Sequence, residues 1–437
     1  MVATVVGVEA DRGAGAEVSV PSPAPVAEPA VEKTVLPSGI RVVTERMPEA
    51  RSVATGVWVG IGSRDETEEL AGASHFLEHL LFKGTETRSA RSIASAVDAA
   101  GGEMNAFTSR EHTAFFTRLP VDQLVFGLEL LADVVTHPAF RPAEVEAERE
   151  VILEEILMSE DSPDDVAMTA LFESLFPAHG LGRETLGTRG SIEAMPREVI
   201  EAFHRDQYGP ENLVVAAAGD LHHAEVVDTI VAMGDGVGGG ERPPRVAPGT
   251  DMVPSLVINR PTEQAHVAIG WRGLHFDHPD RYALWVANHV CGGGMSSRLF
   301  QEIREERGLA YTVYSSPSAY QDCGAVSLYA GTSPVRLPEL LDVVDEVIDG
   351  LVADGVTDDE LRVAVSFLQG SLLLGLEDTG SRMSRLASGL MNRDEVIPLA
   401  EHLARIRAVT AEDVHRVLRA IFDAPRSVVV VGPVDEG

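Results

Sequence analysis

The stretch 73-ASHFLEHLLFKGT-85 places two histidines and a glutamate within five positions. Read as a helix, each residue turns by about 100°. With His75 at 0°, His79 lies at about 40° and Glu78 at about 300°, so the three share one arc. Phe76, Leu77, Leu80 and Leu81 spread over the opposite side, which makes the segment amphipathic. Two imidazoles one turn apart can grip one tetrahedral ion. A carboxylate beside them can take a proton from water activated by that ion. The H-x-x-E-H spacing is the inverzincin signature. A solvated amphipathic helix can carry His and Glu on its wet side too, so a catalytic metal centre needs a third ligand from elsewhere.

The segment 142–160 is dense in glutamate: Glu144, Glu146, Glu148, Glu150, Glu154, Glu155 and Glu160. On a helical wheel Val145, Ile152 and Ile156 mark the buried face, and Glu150 and Glu154 point to water. Glu148 and Glu155, seven residues apart, stack on one stripe at the edge of the buried face. Glu144 joins the stripe from the first turn, where the helix dipole alone favours a carboxylate. The two carboxylates point inward, and no nearby lysine is expected to neutralise them. A divalent cation or an arginine must offset the cost of burying them.

With 437 residues, the chain has room for two to four domains. Its 35 Lys+Arg against 68 Asp+Glu give a net charge of −33. Such a balance argues against nucleic acid or an anionic membrane as the main partner. Only two of the basic residues are lysines, Lys33 and Lys83. Two cysteines, Cys291 and Cys323, cannot build a disulfide framework or a cysteine zinc site, and a reducing, cytoplasmic location is expected. No apolar run reaches the ~20 residues of a membrane span. Residues 1–32, rich in Ala, Pro, Val and Glu without periodicity, read as a disordered tail that lacks the basic start of a signal peptide.

Element order points to a duplication. The Gly/Pro-rich stretch 233–252 reads as a linker between a domain at 33–232 and a second at 253–437. "AHVAIGWRG" echoes "ATGVWVGIG", and "LAYTVYSSPSAYQDCGAVSLYAG" echoes "MNAFTSREHTAFFTRLP". The expected fold is α+β: two duplicated domains, each an antiparallel-rich sheet packed with helices. "CGGGMSS" (291–297) lacks the Gly-Lys-Ser/Thr ending of a phosphate loop and reads as a tight turn. "NHVCGGG" stands where a second inverted motif would lie, so His289 and Cys291 are expected in the core.

"HFLEHLLFKGT" followed by "EREVILEEI" resembles the pitrilysin (M16) family of zinc metallopeptidases, in particular its bacterial two-domain members and the catalytic subunit of mitochondrial processing peptidase. The resemblance runs over roughly residues 33–430. It implies one zinc ion per chain on His75, His79 and Glu155, with Glu78 catalytic and Glu148 supporting the site. It implies that "GGEMNAFTS" forms an edge strand on which Asn105 and Ala106 receive an extended peptide by strand addition. It implies that Arg304 binds substrate and Tyr311 stabilises the carbonyl oxygen; Arg298 and Arg307 are the competing arginines. Each chain would form half of a clamshell, closed by a homodimer or by a heterodimer with a paralogue, around peptides or unfolded polypeptides. The alternative is a non-catalytic peptide-binding subunit of a processing-peptidase-like complex. Subunits of that kind lose motif residues, and none is lost here.

Overall fold

The computed structural model describes residues 30–234 and 242–434. Its first sheet holds β1 (Val31–Val35), β2 (Arg41–Arg46), β3 (Ser52–Val59), β4 (Glu103–Thr108), β5 (Thr113–Pro120) and β6 (Leu213–Gly219), in the order β1-β2-β6-β3-β5-β4. A second sheet holds β7 (Ser255–Asn259), β8 (Ala265–Gly273), β9 (Ala310–Ala319), β10 (Gly324–Thr332) and β11 (Arg426–Gly432), in the order β7-β11-β8-β10-β9. β2 through β6 correspond in chain order to β7 through β11. Each sheet has one parallel pair, β2–β6 and β7–β11, among antiparallel neighbours. The duplication expected from element order is therefore present strand by strand, with β1 as an addition to the first sheet.

Both faces of the first sheet are buried, which is why its central strands read as unbroken apolar runs. Side chains alternate between faces along a strand. In β6, Leu213, Val215 and Ala217 join one core with the helices Ala73–Leu81 and Leu124–Thr136, while Val214, Ala216 and Ala218 face the other way. That second face is covered from the other half of the chain. Met383, Leu386, Ala387 and Leu390 of the helix Thr379–Arg393 pack on Val43, Ala54, Trp58, Ala114, Val214, Ala216 and Ala218. The small residues let the helix sit close to the sheet.

The second sheet shows the reciprocal arrangement. Ala167, Ala170, Leu171, Phe172 and Leu175 of the helix Pro163–Leu175 pack on Ala268, Val429 and Val431. A Cβ on Gly270 would stand 2.8 Å from Leu175 Cδ1, so a larger residue here would push the leucine tips of this helix aside. The duplicated halves thus exchange one helix each, a feature that local periodicity does not carry.

Two boundaries differ from the sequence reading. Strand β1 starts at Val31, two residues inside the span assigned to the tail, because its backbone pairs with β2 from Val31↔Glu45 to Val35↔Arg41; residues 1–29 lie outside the described residues. Of the linker, 235–241 lie outside the described residues, and 242–254 run without helix or strand. The described part is pinned. Arg245 grips Asp65 at 2.8 and 2.7 Å, donates to the Glu111 carbonyl at 2.6 Å, and reaches Gln321 Oε1 at 3.1 Å. Arg64 joins Glu111 (2.6 Å) to Asp322 (2.5 Å) on the β9–β10 connection. Among the described residues no helix is long and apolar enough to cross a membrane.

Candidate metal centre

The motif forms the helix Ala73–Leu81. Phe76, Leu77, Leu80 and Leu81 are buried, and His75, Glu78 and His79 sit partly accessible on the other side. Gly72 starts the helix with φ 91°, and a Cβ there would stand 2.6 Å from the Leu186 carbonyl oxygen. The first-turn amides are held by Glu66, whose carboxylate accepts from Gly72 N–H (2.8 Å) and Ser74 N–H (2.7 Å). Burial pushes the Glu66 carboxyl above the ordinary glutamate range, and those two backbone donors pull it partly back. The sequence reading missed Glu66. Its trace is an acidic run, 66-ETEEL-70, directly before a helix start, where the dipole favours negative charge.

The glutamate-rich segment forms the helix Pro142–Asp161, packed against the motif helix. It brings Glu155 Oε2 to 3.6 Å from His75 Nε2 and 3.5 Å from His79 Nε2. Ligand atoms of His75, His79 and Glu155 all lie within 4.8 Å of one another, and this is the one such trio of His, Cys, Asp or Glu among the described residues. Atoms held at about 2.0–2.1 Å on a tetrahedral ion stand roughly 3.4 Å apart, so the spacing suits zinc. The donor chemistry suits it too. Burial, and the neighbouring His79, hold the His75 imidazole down at about 4, so at neutral pH it is an uncharged ligand. Two histidines and one carboxylate would fill three positions and leave a fourth open, the arrangement of a catalytic zinc site.

Glu148 accepts from His79 Nδ1–H at 3.1 Å, which turns the Nε2 lone pair toward Glu155. One expectation fails here. Glu148 does have a lysine: Lys83 Nζ lies 2.7 Å from its Oε1. Lys83 stands in the turn just past the end of the motif helix, a neighbour that spacing within the glutamate segment does not reveal. Glu148 is buried and Glu155 is 37% exposed. Glu144 instead pairs with Arg141 at 3.1 Å.

Glu78 is fixed by Thr108, whose hydroxyl donates to Oε2 at 2.5 Å. Burial raises the Glu78 carboxyl above its ordinary range, and Thr108 and His79 oppose the shift. Thr108 ends β4, the outer strand of the first sheet, and it also escaped the sequence reading. Met104, Ala106 and Thr108 alternate on one face of β4, with Met104 and Ala106 packed against the core beneath the motif helix. Asn105 points the other way, exposed, with its Oδ1 accepting from Ala106 N–H at 2.8 Å. Asn105 and Glu78 are therefore on opposite faces of the sheet, while Ala106 lies on the Glu78 side.

Arg304 and Tyr311 are brought to each other. The guanidinium lies 4.4 Å from the Tyr311 ring centre and 4.8 Å from that of Phe300, on a π-helical segment Phe300–Glu306 that leads into β9. Tyr311 is 76% exposed. Among the described residues, the contacts of this pair are with each other, Phe300 and Glu305, and none joins the histidine trio. Arg298 is engaged by Glu360 at 2.7 Å, and Arg307 by Glu302. His289 and Cys291 are buried, as expected. His289 stacks on Phe367 at 4.2 Å, and burial pushes the Cys291 thiol up to about 12.

A mixed sheet-and-helix duplication with an inverted histidine–glutamate helix defines a metallopeptidase-like chain. Residues 41–189 match the family described as insulinase (peptidase family M16), and residues 194–368 match the peptidase M16 inactive domain. The chain belongs to the M16 peptidase family. It is 43% identical to a zinc protease of Streptomyces coelicolor over 93% of this chain and 90% of that protein. It is 44% identical to a zinc protease of Mycobacterium tuberculosis (94% and 95%), and 37% identical to one of Bacillus subtilis (92% and 98%). Its fold matches a crystal structure of a protease from Helicobacter pylori with a TM-score of 0.86 at 23% identity, over 92% of this chain and 99% of that one.

Proposed function

We propose that this chain is a zinc-dependent endopeptidase acting on peptides or unfolded segments, with one zinc site per chain. The carrying observation is the convergence of His75, His79 and Glu155 beside Glu78. His75 Nε2, His79 Nε2 and Glu155 Oε2 would hold the ion. When bound, zinc supplies a Lewis acid that polarises a carbonyl and acidifies water. Glu78 takes the proton of the attacking water on its carboxylate and passes it to the leaving amine. Thr108 keeps that carboxylate in place, and Glu148 fixes the tautomer of His79. The free edge of β4 adds an extended peptide as a further strand, so main-chain hydrogen bonds hold it with little demand on sequence. The substrate would then run past Ala106 and Thr108 toward Glu78.

The test is metal content beside cleavage. Purified protein is expected to hold about one zinc per chain and to cleave unstructured peptides. A chelator should abolish cleavage and added zinc should restore it. A protein that binds peptides without zinc and without chelator-sensitive cleavage would instead be the non-catalytic partner subunit.

Arg304 and Tyr311 have no described contact with the trio, and this supports a dimer in which one copy's pair completes the partner's site. Tyr311 would donate its phenolic hydrogen to the carbonyl oxygen as charge develops there. Mixing Glu78→Gln chains with Tyr311→Phe chains is expected to restore up to a quarter or so of wild-type activity, as statistical pairing of two such chains would give. If heterodimers form and activity stays at the level of the parents, the pair does not act across a dimer.

A further inference from the structure

In a chain of net charge −33, one cavity is walled by cations. It has a volume of about 420 Å³ and lies in the second half, where the helices Arg281–Cys291, Thr379–Arg393 and Leu399–Arg407 converge. Arg281, Arg385, Arg393 and His402 line it together with Phe276 and Trp285, and no acidic residue does. The carboxylates that reach these arginines come from outside and are shared. Asp277 lies 3.5 Å from both Arg281 and Arg393, and Glu45 pairs with both Arg382 and Arg385. The three lining guanidiniums thus share two carboxylates, one of which also serves Arg382, and positive charge at the cavity stays unmatched.

The donors are unsatisfied as well. The Nε–H groups of Arg281, Arg385 and Arg393 are buried without a hydrogen-bond partner among the described residues. The Arg281 side chain is only 8% exposed. Burying cationic donors without acceptors is costly, and in native structures such groups are met by ordered water, an ion or a ligand. His402 Nδ1 shares a hydrogen bond with the Tyr282 hydroxyl (2.8 Å). Burial, together with the surrounding arginines, holds the His402 imidazole down at about 4, a sign of the positive field at this spot. The aromatic side of the cavity is already in cation–π use, with Arg393 4.5 Å from the Phe276 ring centre.

From the unmatched positive charge, the free donors and the aromatic lining, we infer that this cavity binds a phosphate monoester carrying a planar body, the chemistry of a nucleoside monophosphate. Arginine forks match a phosphate dianion, and Trp285 offers flat apolar surface to the rest of the ligand. The site is separate from the histidine trio and does not depend on the peptidase reading.

Calorimetric titration of the full chain with AMP tests this. Saturable one-to-one binding is expected, and adenosine, which lacks the phosphate, should bind at least tenfold more weakly. Arg393→Gln removes one cation of the cavity wall, and Ser388→Leu fills the cavity while leaving every charge in place. Each should weaken AMP binding at least tenfold, with circular dichroism unchanged in at least one of them. His75→Ala should bind AMP as the wild type does, which separates this cavity from the metal centre. No saturable binding up to about 5 mM AMP, equal binding of adenosine, or binding that survives both substitutions would overturn the assignment.

Discussion

Glu78→Gln is expected to lower kcat on a peptide substrate by about 10²- to 10⁴-fold, the usual worth of a positioned general base. The side chain keeps its size and can still meet Thr108, so zinc content should stay at the wild-type level. That separation is the informative part of the experiment. His79→Ala removes a ligand, and with it metal and activity should fall together. Glu78→Gln should remove activity alone. A Glu78→Gln protein within about tenfold of wild-type kcat would exclude Glu78 from the proton transfer.

Arg245→Ala is expected to be the most destabilising single change outside the cores, by about 3–5 kcal/mol, the range for breaking a buried pair from one side. Arg245 and Asp65 are both almost wholly buried, at 7% and 1% side-chain exposure. Alanine would leave the Asp65 carboxylate without its two-pronged partner and would also free the Glu111 carbonyl. Urea unfolding should show a lower midpoint with an unchanged slope. Adding Asp65→Asn should recover part of the loss, since the stranded charge is then gone. A loss under about 1 kcal/mol would mean that the pair is not what fastens the linker.

The trio of His75, His79 and Glu155 is open in part to sequence reasoning because both of its sources are helices with a strict period, while the choice of Glu155 over Glu148 as third ligand comes from the family resemblance. The arc of His75, Glu78 and His79, and the stripe of Glu148 and Glu155, follow from about 100° per residue alone. What completes the site does not follow from any single period. Thr108 reaches Glu78 from a strand 30 residues on. Lys83 reaches Glu148 from the end of the motif helix, and Glu66 folds back on the helix start from a loop. These are tertiary meetings of polar residues whose local sequence resembles ordinary surface. The strands of the duplication are legible for a related reason, through apolar runs between turn signals. The crossing of Pro163–Leu175 and Thr379–Arg393 to the opposite sheets is not, because an amphipathic helix records that it has a buried face and not whose sheet it covers.

That crossing constrains the order of events during synthesis. The first sheet is chemically complete once β6 has been made, yet Trp58 and its apolar neighbours wait for residues 379–393 before anything covers them. A nascent chain therefore carries an open apolar sheet face through the translation of about 160 further residues. The two halves are repeats in architecture, but neither is a unit that can be cut out, expressed and expected to close alone.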